Sequence, residues 1–150
     1  MEVELSDILA VVLAAAFGGV IGVEREFRRK SAGLRTNVLI CMGAAVFTII
    51  SRKMGAGGEQ SITRIAAQIV TGVGFLGAGA IVRDRAGVLG LTTAATIWLV
   101  ASIGMACGAG FFKLAAATTV LALLVLIGLS KIENVIKKWG PEKQPDDNSQ

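Results

Sequence analysis

Histidine and tyrosine are missing from this chain, and its 150 residues hold only two prolines and two cysteines. Without His, zinc sites of the usual His or Cys/His kinds are excluded, and so are imidazole general bases. Both thiols, Cys41 and Cys107, sit in apolar runs. They read as buried small hydrophobes rather than as a disulfide or redox pair. Charge is scarce as well, at 17% against about 25% for an average soluble domain. The 15 Lys+Arg and 11 Asp+Glu gather between apolar runs instead of lining one soluble face, which argues against nucleic acid as a partner. The acidic start (Glu2, Glu4, Asp7) is unlike a cleaved signal peptide, which opens on a basic region.

What is present is apolar surface and glycine. The chain is 53% hydrophobic, with 19 Gly and a mean hydropathy of +0.67. This composition predicts an all-α polytopic membrane protein with the lipid bilayer as its solvent. Five spans are expected. The first is Ile8 to Val23, lengthened by Leu5 and Ser6, and the second is Leu34 to Ser51. The third is Ile65 to Val82, the fourth Gly90 to Cys107 and the fifth Phe111 to Leu129. Residues 1–130 then form one membrane domain, and 131–150 a basic, then polar, partly disordered tail. Outside the fifth span, Trp139 is an interface anchor. Eleven Lys and Arg fall on the side of the first loop, the third turn and the tail, against four on the other side. The positive-inside rule puts the amino terminus outside and the carboxyl terminus in the cytoplasm.

Glycine marks two of the spans. In the first, Ala14, Gly18 and Gly22 recur every four residues and offer a face for close helix contact. In the third, Gly72, Gly74, Gly77 and Gly79 interrupt an apolar run whose one strongly polar residue is Gln68. In water so many glycines would weaken a helix, at about 1 kcal/mol each relative to Ala. In lipid the backbone must satisfy itself, so helix is enforced and small residues become packing surfaces. The expectation is a tightly packed central helix and self-association through glycine faces. Gly72-Val-Gly-Phe-Leu-Gly77 also fits the dinucleotide pattern G-x-G-x-x-G. It has no strand before it and no acidic residue about 20 positions on, where Ile97 and Trp98 stand, so that reading is set aside.

Three segments in register resemble the MgtC/SapB family of bacterial inner-membrane proteins. They are Gly22-Val-Glu-Arg-Glu26 running to Ala32-Gly-Leu-Arg-Thr36, then Arg64-Ile-Ala-Ala-Gln-Ile-Val with Gly74-Phe-Leu-Gly-Ala-Gly79, and Gly90-Leu-Thr-Thr-Ala-Ala-Thr-Ile-Trp98. The resemblance covers residues 8 to 129. It implies five spans with the amino terminus outside, and a role in low-magnesium and acid survival, with virulence in some pathogens. It also implies restraint of another membrane complex, such as the ATP synthase.

The candidate residues fall into groups. A cytoplasmic rim is expected from Glu24, Arg25, Glu26, Arg35, Thr36, Arg83 and Asp84, continuing to Arg85. If the first helix runs outward, Glu24 meets Arg28 and Glu26 meets Lys30 at i,i+4, and Gly33 closes the helix. Ion pairing is favoured for both carboxylates. Oxygen ligands suit Mg²⁺, so Glu24 and Glu26 are also the candidates for cation contact, and no other cofactor is expected. Arg35 and Arg83 either anchor at the interface or pair with Glu24 or Glu26 across the bundle. Gln68 hydrogen-bonds across helices or lines a polar path. Thr92 or Thr93 caps the fourth helix, and Thr92, Thr93 and Thr96 bond to their own carbonyls or to Gln68. With no convincing nucleophile–base pair, an enzyme is not expected. Two readings remain: a membrane regulator of ion or energy homeostasis acting on another membrane protein, and a small Mg²⁺ or K⁺ channel or carrier assembled as a homo-oligomer. No Asp or Glu is expected inside a span, which weighs against the second.

Overall fold

The computed structural model describes residues 2–55, 59–84 and 87–139, with 59–66, 131 and 133–139 described as backbone only. It holds five α-helices: α1 (Leu5–Phe27), α2 (Leu34–Met54), α3 (Glu59–Gly79), α4 (Leu91–Gly108) and α5 (Phe112–Trp139). A two-stranded antiparallel hairpin, β1 (Val82–Asp84) and β2 (Gly87–Leu89), joins α3 to α4. The all-α membrane class expected from composition is what the chain adopts. Helices α1, α2, α4 and residues Phe112–Ser130 of α5 are long and apolar enough to cross a membrane. Among the described residues α3 supplies a shorter apolar stretch, Ala67–Gly79. Helix is the only local solution for such runs in lipid, where an unpaired backbone amide has no water to turn to.

The centre of the bundle is α2 and α4, with α1 on one side. Their shared core mixes small and branched residues: Ala14, Cys41, Ala45, Val100, Ile103 and Cys107 are all essentially inaccessible. Both cysteines are free and buried there. Glycine allows this closeness. A Cβ at Gly18 would lie 2.7 Å from Cys41 Cβ and 2.8 Å from the Asn37 carbonyl oxygen, and one at Gly22 would lie 2.8 Å from Leu34 Cα. From the other side, a Cβ at Gly104 would run into the Cys41 carbonyl oxygen, and one at Gly108 into that of Ala45. The three helices thus meet backbone to backbone.

Helix α3 does not hold the central place expected of it. Among its described side chains Ile69, Val73 and Gly77, one narrow stripe at i, i+4 and i+8, are buried against the bundle. Gly72, Gly74 and Gly79 have nothing within 4 Å of where a Cβ would stand, and Gly77 is in ordinary contact with Ala94. The glycines permit close approach, but among the described residues nothing lies on that side to make it.

Several element ends also differ from expectation. Helix α1 stops at Phe27 and does not carry on toward Lys30. Arg29 takes a left-handed φ of 52°, while Arg29 N–H donates to Glu26 O and Lys30 N–H to Arg25 O. This is the Schellman closure, with Arg where Gly is usual. Gly33, expected to end α1, is instead the N-cap of α2. The third span ends at Gly79 and residues Val82 to Asp84 pair as a strand. Gly90, at φ +89°, caps α4 in place of Thr92 or Thr93, and Ala80 lies so close that a side chain there has no room. Helix α5 continues through the expected basic extension to Trp139, and residues 140–150 lie outside the described residues. Finally, α1 is longer than the expected span Ile8 to Val23 and takes in Asp7 at one end and Glu24 and Glu26 at the other.

Candidate functional site

The alternation of helices puts the end of α1, the start of α2, the hairpin and the start of α4 at one face of the bundle. This is the rim. At the opposite face the start of α1 meets the end of α2. There Glu4 N–H donates to Asp7 Oδ2, at 2.9 Å, and closes the first turn of α1. Lys53 Nζ lies 2.8 Å from Asp7 Oδ2, and Arg52 Nη2 lies 3.1 Å from Oδ1. Lys53 also reaches the Glu2 carbonyl, at 2.8 Å. Arg52 and Lys53, half of the basic residues expected on that side, are therefore neutralised by the acidic start of the chain. The sequence places these groups in separate polar stretches, and nothing in their spacing pairs them.

At the rim, Glu24 lies between two guanidiniums, the Nε of Arg25 on one carboxylate oxygen and the Nε of Arg28 on the other. The contact with Arg28 is an ion pair without hydrogen-bond alignment. Arg25 is 2% exposed. A guanidinium this buried in a membrane protein needs its carboxylate partner, because an isolated charge there is costly. Arg28 continues to Ser130 Oγ on α5 through Nη1 and ties the two helices.

Glu26 has a different task from the one expected. Its Oε2 accepts the Leu34 backbone N–H at 3.0 Å. A carboxylate at the start of α2 satisfies an orphan amide and faces the positive end of the helix dipole. The same carboxylate occupies the space where a side chain on Gly33 would stand. So neither Glu24 nor Glu26 pairs with Arg35 or Arg83 among the described residues. Both carboxylates, the candidates for cation contact, are engaged by protein groups. No cluster of three Asp, Glu, Cys or His side chains forms among the described residues.

Asn37 is the rim residue that sequence reasoning left out of the site. It is fully buried between α1 and α2, and its Nδ2 donates to the carbonyls of Ala32 (2.8 Å) and Gly33 (2.7 Å). Two carbonyl partners fix which end of the amide is nitrogen. Its Oδ1 has no hydrogen-bond partner among the described residues. The signal was an uncharged polar residue at the head of the apolar run Val38 to Ile50. Arg35 and Thr36 stand exposed beside it. Arg83 and Asp84 are exposed on β1, and Arg85 lies outside the described residues.

The intramembrane polar residues do not converge. Gln68 lines a groove of about 500 Å³ between α2 and α3, with Leu39, Gly43, Phe47, Gly72 and Leu76. Thr96 Oγ1 bonds back to the Thr92 carbonyl at 2.8 Å. Thr93 is buried, and Thr92 is exposed at the rim.

The MgtC family model matches residues 11–135, nearly the whole of the described bundle. The chain belongs to the MgtC family. It is 48% identical over 130 residues to Protein MgtC of Brucella abortus, covering 85% of this chain and 54% of that protein. It is 51% identical over 116 residues to Protein MgtC of Salmonella typhimurium (77% and 49%) and 50% identical over 126 residues to YhiD of Escherichia coli K12 (79% and 58%). The chain spans about half the length of these curated relatives. No solved structure matches it. Family and apolar helices together make it a multi-pass bacterial membrane protein.

Proposed function

We propose that this chain is the membrane domain of a non-enzymatic regulator of magnesium-linked ion and energy homeostasis. It sits in the bacterial inner membrane and acts by contact with another membrane protein. The name of the Escherichia coli relative points to magnesium transport, and the family resemblance to low-magnesium and acid adaptation. The observation that carries the contact reading is the contrast between interior and rim. The interior is closed by glycine contacts between α1, α2 and α4, while Arg35, Thr36, Arg83 and Asp84 stand exposed at one face. Among the described residues that face carries Arg25, Arg28, Arg29, Lys30, Arg35 and Arg83, and Arg52 and Lys53 at the other are ion-paired. We therefore place the rim and the carboxyl terminus in the cytoplasm.

A second reading, a cation carrier assembled from several copies, is favoured by Gln68. It faces the α2–α3 groove, and neighbouring copies would bring several such amides together. Ion flux separates the two. Purified protein in sealed liposomes with a Mg²⁺ indicator should give no entry above empty liposomes. Flux that vanishes in Gln68→Leu would replace the regulator reading with the carrier one. In a strain that needs this protein, Arg35→Glu combined with Arg83→Glu should abolish low-magnesium growth at unchanged membrane levels. Normal growth of that variant would remove the rim from the mechanism.

A further inference from the structure

Burial along α5 fades toward the rim. Ala115, Thr119 and Ala122 pack against the bundle at 0%, 4% and 5% exposure, whereas Val125 and Leu129 are 53% and 51% exposed. A groove of about 520 Å³ lies between α5 and the ends of α1 and α4. Arg25, Arg28 and Lys30 line this groove on one side, the hydroxyl residues Thr92 and Ser130 sit beside them, and Val125 and Leu129 form the apolar wall. Glu24 offsets one of the three cations through its contacts with Arg25 and Arg28. It takes the Nε atom of each, and Arg28 Nη1 is held by Ser130 Oγ, so the Nη nitrogens of Arg25, Nη2 of Arg28 and the Lys30 amine are the donors suited to phosphate oxygens.

We propose that this groove binds the headgroup phosphate of an anionic phospholipid, with an acyl chain lying along Val125 and Leu129. The charge pattern selects the headgroup: among the described residues the lining carries cations and hydroxyls but no carboxylate. The apolar wall distinguishes a lipid from a soluble phosphate, because it continues onto the exposed apolar side of α5 (Leu121, Leu124). The position fits too, since basic pockets between spanning helices at the headgroup level are where anionic lipids are held. The bound lipid would tie α5 to α1 beside the Arg28–Ser130 bond. This site is independent of the exposed rim residues invoked above.

Native mass spectrometry of the full chain, with phosphatidylglycerol and phosphatidylcholine of identical acyl chains, tests it. Wild type should retain phosphatidylglycerol preferentially. Arg28→Gln with Lys30→Gln should weaken that binding by about 30-fold, at about 1 kcal/mol per cation near the surface, and leave phosphatidylcholine unchanged. Because Arg28 also bonds Ser130, Lys30→Glu serves as the variant that spares the helix contact, and it should weaken phosphatidylglycerol binding in the same direction. Lys113→Gln, at the opposite face, should change nothing. Equal retention of the two lipids by wild type, or unchanged phosphatidylglycerol binding in Lys30→Glu, would overturn the proposal. So would displacement of bound lipid by equimolar glycerol 3-phosphate, which would assign the groove to a soluble phosphate.

Discussion

Gly18, Gly22, Gly104 and Gly108 lie so close to α2 that a methyl group at any of them would meet a neighbouring residue, whereas Gly72, Gly74 and Gly79 of α3 look out on open space. Composition does not separate the two sets, since each lies in an apolar helix. Position does. Helices α1 and α4 flank α2 and place their glycines against its backbone. Among its described side chains, helix α3 buries Ile69, Val73 and Gly77 against the bundle and turns the rest of its glycines away. A small residue in a membrane helix is therefore permission for contact, and the fold decides whether the permission is used.

The strongest way to break this comparison is at α4. Gly104→Leu forces a side chain into the Cys41 carbonyl, and α2 cannot yield without leaving α1. Overpacking of this kind costs on the order of 3 kcal/mol, and here the obstacle is backbone. The expected result is loss of folded protein, read as a lowered melting temperature in detergent and poor membrane yield. Normal stability of this variant would mean that α2 and α4 are not in backbone contact.

The next effect is smaller and concerns the seam between α1 and α2. Asn37→Ala removes the donor to the Ala32 and Gly33 carbonyls and leaves a small void beside Gly18 and Gly22. An orphaned buried carbonyl costs about 1–3 kcal/mol. Removal of the unpartnered Asn37 Oδ1 offsets part of this, so about 1–2 kcal/mol is expected. Unfolding titration in detergent should show it as a clear loss, well short of that for Gly104→Leu. An equal loss in both variants would erase the distinction between backbone contact and loop anchoring.

The sequence made the helices legible because an apolar run in lipid has one backbone solution. The spacing of Gly18 and Gly22 is legible on the same grounds, and Gly104 and Gly108 carry the same four-residue signal. Three features were out of reach. Arg29 sits in a left-handed conformation that sequence reasoning assigns to glycine, so α1 ends before the point that its charge spacing predicts. Glu26 caps Leu34 across the loop in preference to Lys30 at i+4, because an orphan amide at the head of α2 lies within its reach. Asp7 meets Arg52 and Lys53 only because α1 and α2 are antiparallel, a fact of the fold that no local pattern encodes. At the rim, the kinds of residue were readable and their partners were not.

The mildest substitution tests the open side of the comparison. Gly74→Ala adds a methyl group where nothing stands within 4 Å, on a helix that is otherwise regular. If α3 is solvated by lipid there, the change should leave folding intact and, through helix propensity, stabilise by up to about 1 kcal/mol. The same substitution at Gly18 would bring its methyl to 2.7 Å from Cys41 Cβ and should destabilise. Opposite signs for one chemical change at two glycines would be direct evidence that position sets their roles. A loss of stability at Gly74 as well would mean that something outside this chain packs on α3. Crosslinking between copies through cysteines introduced on its exposed face, at Phe75 or Ala78, would then show whether that neighbour is a second copy, which is the self-association that the glycine pattern suggests.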